Sequence, residues 1–265
     1  METALVPAIE RWRHLMLTTA RRMLPLPVRR WLWVTWKGTD YCPPIGWVRF
    51  GNLRRLTPLS REFGYDRGLP IDRYYIECFL AKNASDIRGQ ILEVGDNAYT
   101  LQFGGNCVTK SEVLHVREGN ARATIVGDLT CAGHIPSDRF DCVILTQTLQ
   151  FISNAPAALR TVERILKPGG IVLATFSGIS PISRYDLEHW GHCAAFTSLS
   201  TRRLFEEVFP QDHVQITAYG NVLTAASFLY GMATEELRKE ELDHLDPDYE
   251  LMIAVRAVKP ANEAF

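Results

Sequence analysis

The sequence predicts an α/β fold in which helices cover the faces of a mostly parallel sheet. From residue 70 onward, short apolar runs typical of buried strands alternate with segments whose apolar residues recur every three or four positions. Where one helical segment ends, the run LKPGG at 166–170 turns the chain into the next apolar run. Such regular alternation is typical of a parallel sheet with helices in its crossovers.

The individual elements follow from these patterns. Strands are predicted at 90–94, 112–116, 123–126, 141–145, 170–176, 213–219 and 249–258. Helices are predicted at 70–87, 154–166, 198–209 and about 222–242. No helix is expected between the first two strands, because that stretch has no apolar stripe and contains the pair Gly104 and Gly105.

Composition and charge exclude several classes of protein. With 265 residues, 46% of them hydrophobic and 22% charged, the chain can bury a full core without disulfides. Its net charge of −1 gives no indication of nucleic-acid binding. No apolar run approaches the ~18 residues of a membrane span, and arginines interrupt the N-terminal stretch where a signal-peptide core would lie. We therefore expect a cytoplasmic protein.

The six cysteines indicate neither a disulfide framework nor a metal site. No two of them have the spacing C-x-x-C, and no histidine stands at metal-ligand spacing beside a pair. We interpret them as reduced, mostly buried thiols of a cytosolic protein.

Residues 1–69 form a basic, tryptophan-rich extension and connector ahead of a predicted domain at 70–265. Residues 1–55 carry a net charge of +7, and an amphipathic helix is predicted at 8–24. Basic helices with aromatic anchors bind membrane interfaces, yet tryptophan and arginine are also favoured at protein interfaces. Peripheral contact with a membrane and packing on the protein's own domain or on a second subunit both stay open; we expect a homodimer. The aromatic anchors are Trp31, Trp33 and Trp36.

Four motifs along the chain point to one family. ILEVG at 91–95, GDL at 127–129, FDCVILTQTLQFI at 140–152 and LKPGGIVLATF at 166–176 follow one another in a fixed order. In this order they resemble the class I S-adenosylmethionine-dependent methyltransferases, most of all bacterial members of glycan and secondary-metabolite biosynthesis. The resemblance covers about residues 70–258. It implies a Rossmann-like sheet with an antiparallel final strand, and S-adenosylmethionine as cofactor.

The resemblance also implies a set of cofactor-binding residues. Glu93 matches the acidic residue that orients the methionine end, and Gly95 the glycine over which the cofactor lies. Asp128 matches the acid that meets the adenine amino group, and Leu129 the neighbour whose amide meets a ring nitrogen. Two further residues follow the fourth strand and should face the sulfonium region: Thr146 and Gln147.

The glycine-rich loop of the family is altered here. Where the family has G-x-G-x-G, this chain has Gly95, Asp96, Asn97 and Tyr99. We expect Asn97 to take a positive φ in place of a glycine and Tyr99 to cover the cofactor. Glu118, after His115 and Arg117, is the nearest candidate for the ribose-binding acid. Three alternatives stay open: Glu93 braces the strand end, Asp128 is a turn residue, and Tyr99 is a core residue.

Catalytic candidates lie in the polar, aromatic segment 177–200, which follows the fifth strand and is expected to be a loop. Methyl transfer to oxygen or nitrogen often needs a base, and the side chain that most often serves is the imidazole of histidine, offered here by His189 and His192. Asp186 is placed to orient either imidazole, and Tyr185 to position the acceptor. The alternative is a loop that only packs on the domain through its aromatic residues.

Two functions follow from these observations. The first is methyl transfer from S-adenosylmethionine to a hydroxyl group of a small molecule or glycan. The second is a non-methylating member of the same fold, either a binding subunit or an enzyme that uses the pocket for another reaction. The altered glycine loop favours the second function, and the intact later motifs favour the first.

Overall fold

The computed structural model describes Pro25, Pro43 and residues 45–261. The chain divides into two compact units, Met1–Leu56 and Thr57–Phe265. The boundary predicted at residue 69 stays a prediction, and the helix at 8–24 and the three tryptophans after it lie outside the described residues. In the first unit, Gly51–Leu53 form a single 3-10 turn, and the Arg54 guanidinium lies 5.4 Å from the centre of the Phe50 ring.

The second unit is built on one twisted sheet in the order β3-β2-β1-β4-β5-β7-β6. Its strands are β1 Gly89–Val94, β2 Val108–His115, β3 Ile125–Val126, β4 Phe140–Thr146, β5 Leu166–Ser177, β6 Val214–Tyr219 and β7 Met252–Val258. The first five run parallel, and β7 pairs antiparallel with both β5 and β6. The predicted fold class, a mostly parallel Rossmann-like sheet with an antiparallel final strand, is confirmed.

Helices cover both faces of this sheet. They are α1 Ile71–Lys82, α2 Ala98–Gly104, α3 Ala155–Ile165, α4 Arg184–Trp190, α5 Ser198–Glu206, α6 Val222–Leu229 and α7 Lys239–Asp243. One face packs on α1, α6 and α7 through a cluster that includes Tyr75, Phe228 and Leu242. The other face packs on α3 and α5 through a second cluster that includes Leu159 and Phe205.

Helix α3 illustrates how local sequence fixes an element. Its apolar residues recur on one side and are buried, among them Leu159, Val162 and Ile165. Asn154 caps its start by accepting a hydrogen bond of 3.2 Å from the Ala157 amide. The chain then enters β5 at Leu166 without a separate turn, because Gly169, at φ +77, allows the bend within the strand's first residues.

Three expectations about local structure are wrong. The stretch after β1 contains α2, a helix of seven residues that ends at Gly104. The helix expected at 222–242 is broken, because Gly231 has φ +69 and a side chain there would meet the Ser60 carbonyl. The segment 177–200, expected to be a loop, contains α4.

The cysteines are also placed differently from the expectation. Of the five cysteines among the described residues, Cys142 alone is buried, and Cys78, Cys107, Cys131 and Cys193 are exposed. Cys142 lies on the central strand β4, whose side chains are covered on both faces. The others lie in α1 or in connecting segments, where a small thiol is left at the surface.

Candidate active site

The carboxyl ends of β1, β2, β4 and β5 meet at one edge of the sheet, because these strands run parallel. In open α/β sheets ligands bind outside this edge, where the strand order reverses. Here the order reverses at β1, which lies between β2 and β4. The segments that follow these strands therefore define the candidate site.

The loop after β1 is open at its first residue. Gly95 has φ +94, and a side chain built there would meet no atom within 4 Å. Asn97 has φ −126, so the expectation of a positive φ is wrong. Its amide nitrogen Nδ2 instead donates to Ser111 Oγ at 3.2 Å, and Asp96 Oδ1 accepts from the Ala98 amide at 2.9 Å. Side-chain hydrogen bonds therefore hold the loop where the family uses glycines.

Glu93 fixes the start of α2 from the end of β1. The residue is 1% exposed, and its carboxylate accepts hydrogen bonds from the Thr100 amide at 2.8 Å and the Thr100 hydroxyl at 2.7 Å. The Tyr99 amide adds a longer one, of 3.3 Å. Burial raises the pKa of Glu93 to about 6. The structure therefore places Glu93 as the brace that the alternative interpretation described.

The Tyr99 ring packs against the hydrophobic core, next to the loop that follows β1. It stacks on Phe103 at 6.2 Å, and both join the cluster under α1. Its hydroxyl accepts a hydrogen bond of 3.3 Å from Arg73 Nη1. This placement is the one that the alternative core interpretation expects; contact with the cofactor stays a prediction.

The residues after β2 and β3 lie beside this loop. Asn120 Nδ2 donates to the Gly95 carbonyl at 2.7 Å and so joins the two loops. Glu118 is exposed, three positions beyond the end of β2. Asp128 is exposed and accepts from the Thr130 amide at 2.8 Å through one oxygen, as a turn residue does. Leu129 is buried, and its amide has no acceptor among the described residues.

The end of β4 is held by glutamines. Gln147 has φ +48, and its amide donates to the Thr175 carbonyl at 3.0 Å. Gln150 is buried and donates from Nε2 to Gln147 Oε1 at 2.9 Å. Its carbonyl accepts from the Cys193 amide at 3.0 Å. Sequence reasoning missed Gln150, since nothing in an apolar run distinguishes a glutamine that joins β4 to a distant segment. Thr146, the last residue of β4, is half-buried.

Residues 178–197, which we call the strap, cross the carboxyl edge between β5 and α5. Helix α4 begins after Ser183, whose hydroxyl accepts from the Asp186 amide at 3.2 Å, and ends at Gly191 with φ +71. Its last residue, Trp190, contacts the His115 ring edge-on at 5.9 Å and the Arg117 guanidinium at 5.8 Å. The strap thus reaches from β5 to the end of β2.

The predicted catalytic residues lie on the strap and are only partly brought together. His189 Nδ1 lies 2.9 Å from the Tyr185 carbonyl, and the two rings stack at 4.1 Å. His192 Nε2 lies 3.1 Å from the Ala194 carbonyl, and its ring contacts Phe151 at 5.3 Å. Among the described residues, no hydrogen bond joins the Asp186 carboxylate to either imidazole.

His192 also lines a pocket of about 290 Å³ between the end of β5 and the strap. The polar part of its wall is formed by Ser177, Ser180, Arg184, His192 and Cys193. His189, Tyr185 and Asp186 are not among its lining residues.

The family comparison matches this geometry. Residues 88–174 match the family model described as a methyltransferase domain. This stretch of the chain therefore belongs to a methyltransferase domain. The protein is an enzyme, and S-adenosylmethionine is its cofactor. The matched stretch runs from β1 into β5 and so contains the segments that form the site, except for the strap.

Three solved structures are similar to this chain at low sequence identity. YcgJ from Bacillus subtilis is 13% identical, with 71% of this chain and 100% of that chain covered and a TM-score of 0.45. A possible histamine N-methyltransferase from Thermotoga maritima is 16% identical, covering 75% and 97%, with a TM-score of 0.48. The [4+2]-cyclase SpnF is 17% identical, covering 74% and 84%, with a TM-score of 0.48. No curated protein sequence matches the chain.

The lengths and apolar content of the helices were compared with those of membrane-spanning helices. Within residues 45–261, no helix has the length and apolar character needed to cross a bilayer.

Proposed function

We propose that this methyltransferase transfers a methyl group to a hydroxyl oxygen of a small molecule or glycan. The observation that carries the proposal is the pocket between β5 and the strap, which presents an imidazole next to hydroxyl groups. It lies at the edge of the sheet where this fold binds ligands. The bound cofactor supplies an electrophilic methyl group on a sulfonium centre.

The residues at the neighbouring strand ends fit that cofactor. Gly95 leaves open space over the backbone at the end of β1. The Leu129 amide, which has no acceptor in the described part of the chain, lies next to the exposed Asp128 carboxylate, so one donor and one acceptor stand side by side. A nucleobase edge with a ring nitrogen and an amino group matches that pair. The proposed cofactor site also keeps five residues at the carboxyl ends of β1, β2 and β4: Asp96, Asn97, Glu118, Thr146 and Gln147.

His192 is the base that the pocket favours. With the ring assigned so that Nε2–H donates to the Ala194 carbonyl, Nδ1 is left to accept a proton. An acceptor hydroxyl hydrogen-bonded to Nδ1 would give its proton to the ring when the methyl group passes from sulfur to its oxygen and S-adenosylhomocysteine is left. General-base catalysis of this kind contributes on the order of 10²–10⁴-fold. His189 and Tyr185 lie outside the pocket wall on the neighbouring helix α4, and Asp186 helps to start that helix.

The test is an assay for S-adenosylhomocysteine formed from S-adenosylmethionine in the presence of hydroxylated acceptors. The panel contains phenols, monosaccharides and nucleotide sugars. With an acceptor that reacts, His192→Gln should lower kcat at least a hundredfold and leave S-adenosylhomocysteine binding unchanged. The matched control is His189→Gln, which removes an imidazole from the same strap and should change kcat less than threefold.

Two outcomes would contradict this proposal. Equal loss of kcat in both histidine variants would remove His192 from the role of base. Tight binding of S-adenosylhomocysteine with no product from any acceptor would favour the non-methylating alternative.

We also infer that the N-terminal extension is a contact surface of a protein that acts in the cytoplasm. The side chains of Ile45, Trp47 and Phe50 are exposed, and Arg49 and Arg54 alternate with them. We expect a homodimer, which light scattering would detect. Flotation with vesicles of phosphatidylcholine and phosphatidylglycerol tests the membrane alternative, and flotation of a monomer would contradict the dimer.

A further inference from the structure

The pocket between β5 and the strap is lined by an arginine. Arg184 is the first residue of α4, and Leu187, three positions further on, lies on the same side of that helix. Both residues line the pocket, so this side of α4 faces it. In the part of the chain that the structure describes, the Arg184 guanidinium makes no hydrogen bond and no ion pair. Its charge is therefore available to a molecule in the pocket.

No carboxylate balances this charge within the pocket wall. Among the described residues that line the pocket, none is acidic. Glu188 lies one turn beyond Arg184 on α4, at a spacing that often gives an ion pair, and the two form none. Glu250, which precedes β7, uses its carboxylate to accept from the Ser198 amide at 2.8 Å. The pocket therefore offers a ligand a positive charge and no negative one.

A buried hydroxyl lies in the same wall. Ser177, the last residue of β5, is 7% exposed and lines the pocket. Its amide donates to Gln150 Oε1 at 3.4 Å, but its hydroxyl has no hydrogen bond with any residue that the structure describes. The Ser180 hydroxyl, by contrast, donates to the Pro181 carbonyl at 3.2 Å. Because buried hydroxyls are normally hydrogen-bonded, the Ser177 hydroxyl is a donor for a ligand in the pocket.

The volume and the lining restrict the ligand further. About 290 Å³ is at the lower end of the range of about 300–1,000 Å³ that is usual for ligand sites. Ile182 and Leu187 give the wall an apolar part, on which one small ring can pack. A guanidinium binds carboxylate and phosphate groups through paired N–H donors. The pocket thus combines a small apolar surface with donors for an anion.

We propose that the acceptor is a small hydroxylated anion whose carboxylate or phosphate group binds the Arg184 guanidinium and the Ser177 hydroxyl. The inference rests on the proposed function in one respect, because it takes this pocket as the acceptor site and His192 as its base. Arg184 is a binding residue that selects the acceptor by its charge, and it takes no part in the transfer of the methyl group.

The test measures binding by calorimetry in the presence of saturating S-adenosylhomocysteine. Two pairs of probes differ in charge: 4-hydroxybenzoate with 4-hydroxybenzamide, and glucose 6-phosphate with glucose. Wild type should bind the anion of at least one pair about tenfold more tightly than its neutral counterpart, and the pair that shows this preference distinguishes carboxylate from phosphate. Arg184→Gln should weaken that anion by about tenfold, the loss expected for a charge-assisted hydrogen bond. It should change the neutral probe less than twofold.

Three further variants sharpen this test. Arg184→Lys should keep part of the preference for the anion, since the charge remains. Ser177→Ala should weaken the same anion by about two- to tenfold through loss of one hydrogen bond. The matched control is Arg203→Gln, which removes an exposed arginine of α5 outside the pocket wall and should leave all affinities unchanged. The melting temperature of Arg184→Gln should equal that of wild type, which shows that the variant is folded.

The outcomes separate this inference from the proposed function. Equal affinity of wild type for both members of each pair, or no binding of any probe, would overturn the inference. Equal weakening of the anion by Arg184→Gln and Arg203→Gln would also overturn it, as an effect of overall charge. An anion that binds through Arg184 and yields no S-adenosylhomocysteine from S-adenosylmethionine would refute methyl transfer and leave the anion site standing. A neutral probe methylated as fast as its anionic counterpart would refute the inference and leave methyl transfer standing.

Discussion

The two edges of the sheet are built in different ways. At the amino edge, ion pairs link strands to one another and to the segments that precede them: Lys167 on β5 lies 2.7 Å from Asp141 on β4, and Arg256 on β7 lies 2.7 Å from Asp86, just before β1. Arg139, just before β4, lies 2.7 Å from Glu112 on β2. At the carboxyl edge, Asp96, Arg117, Glu118 and Asp128 form no ion pair with any residue that the structure describes.

This difference separates stability from function. Polar groups at the amino edge are already partnered, so their loss should lower the free energy of unfolding and leave ligand binding alone. The four charged groups named at the carboxyl edge have no ionic partner among the described residues, so their loss should change binding more than folding. A substitution at either edge that behaves like one at the other would break the comparison.

The largest effect on stability is expected at the amino edge. Glu112→Ala removes a buried carboxylate that accepts from Arg139 and Gln90. The free energy of unfolding should fall by on the order of 2–3 kcal/mol, since hydrogen bonds to charged groups are lost. Urea denaturation measures this fall. The affinity for S-adenosylhomocysteine should stay within twofold of wild type, and a tenfold loss in a folded protein would contradict the division of roles.

Glu93 lies at the carboxyl edge, and yet both of its carboxylate oxygens accept hydrogen bonds. The dependence of its contribution to stability on pH therefore tests the comparison between the two edges. Burial raises its pKa to about 6, above the ordinary value for glutamate. Its contribution to stability is therefore complete below about pH 4.3 and is lost as pH rises through 6. The loss is on the order of 2 kcal/mol by that linkage.

The measurement is the difference in unfolding free energy between wild type and Glu93→Gln, taken by urea denaturation from pH 4.3 to pH 7.5. As pH rises, the unfolding free energy of wild type should fall relative to that of Glu93→Gln, because glutamate ionises and glutamine does not. Other carboxylates titrate equally in both proteins and cancel. A difference that stays constant over this range would mean that Glu93 is not buried as a carboxyl group.

A smaller effect is expected for Asp128, which is exposed and makes one local hydrogen bond. Asp128→Ala should weaken S-adenosylhomocysteine by about 0.5–1.5 kcal/mol through loss of one hydrogen bond. Thermal unfolding without ligand should hardly change. A lower melting temperature with unchanged affinity would show that Asp128 is only a turn residue.

The smallest effect is expected for Trp190, which holds the strap to β2 by ring contacts alone. Trp190→Ala removes a cation–π contact with Arg117 worth about 0.5–1 kcal/mol at an exposed site. Stability should change by no more than this amount, while S-adenosylhomocysteine should dissociate faster in stopped-flow measurements. An unchanged rate would mean that the strap does not retain the ligand.

Sequence patterns predicted the sheet well because its strands are buried and flanked by turns. The run LKPGG marked the entry to β5, and apolar periodicity marked α3. Helix α2 was not predicted, because its seven residues have no apolar stripe and a carboxylate on β1 holds its start instead. Such a contact between strand and helix does not leave a local pattern.

The candidate site was predictable only where a motif names a residue. Gly95 has the open space over its backbone that its motif suggests, while Asn97 does not need a positive φ, because a hydrogen bond to Ser111 holds the loop. Gln150 and Cys193, which are hydrogen-bonded to each other, come from two segments far apart in the sequence. No spacing rule brings them together before the fold is known.

The contact of Trp190 with the end of β2 gives the protein an optical probe. Trp190 is the only tryptophan in the sequence after residue 47, and its indole is 39% exposed. The emission maximum of an indole moves to longer wavelength as water surrounds the ring. The emission spectrum of wild type minus that of Trp190→Phe is therefore the spectrum of the Trp190 ring alone. A shift of the Trp190 emission maximum during turnover would show when the strap moves away from β2 and when it returns.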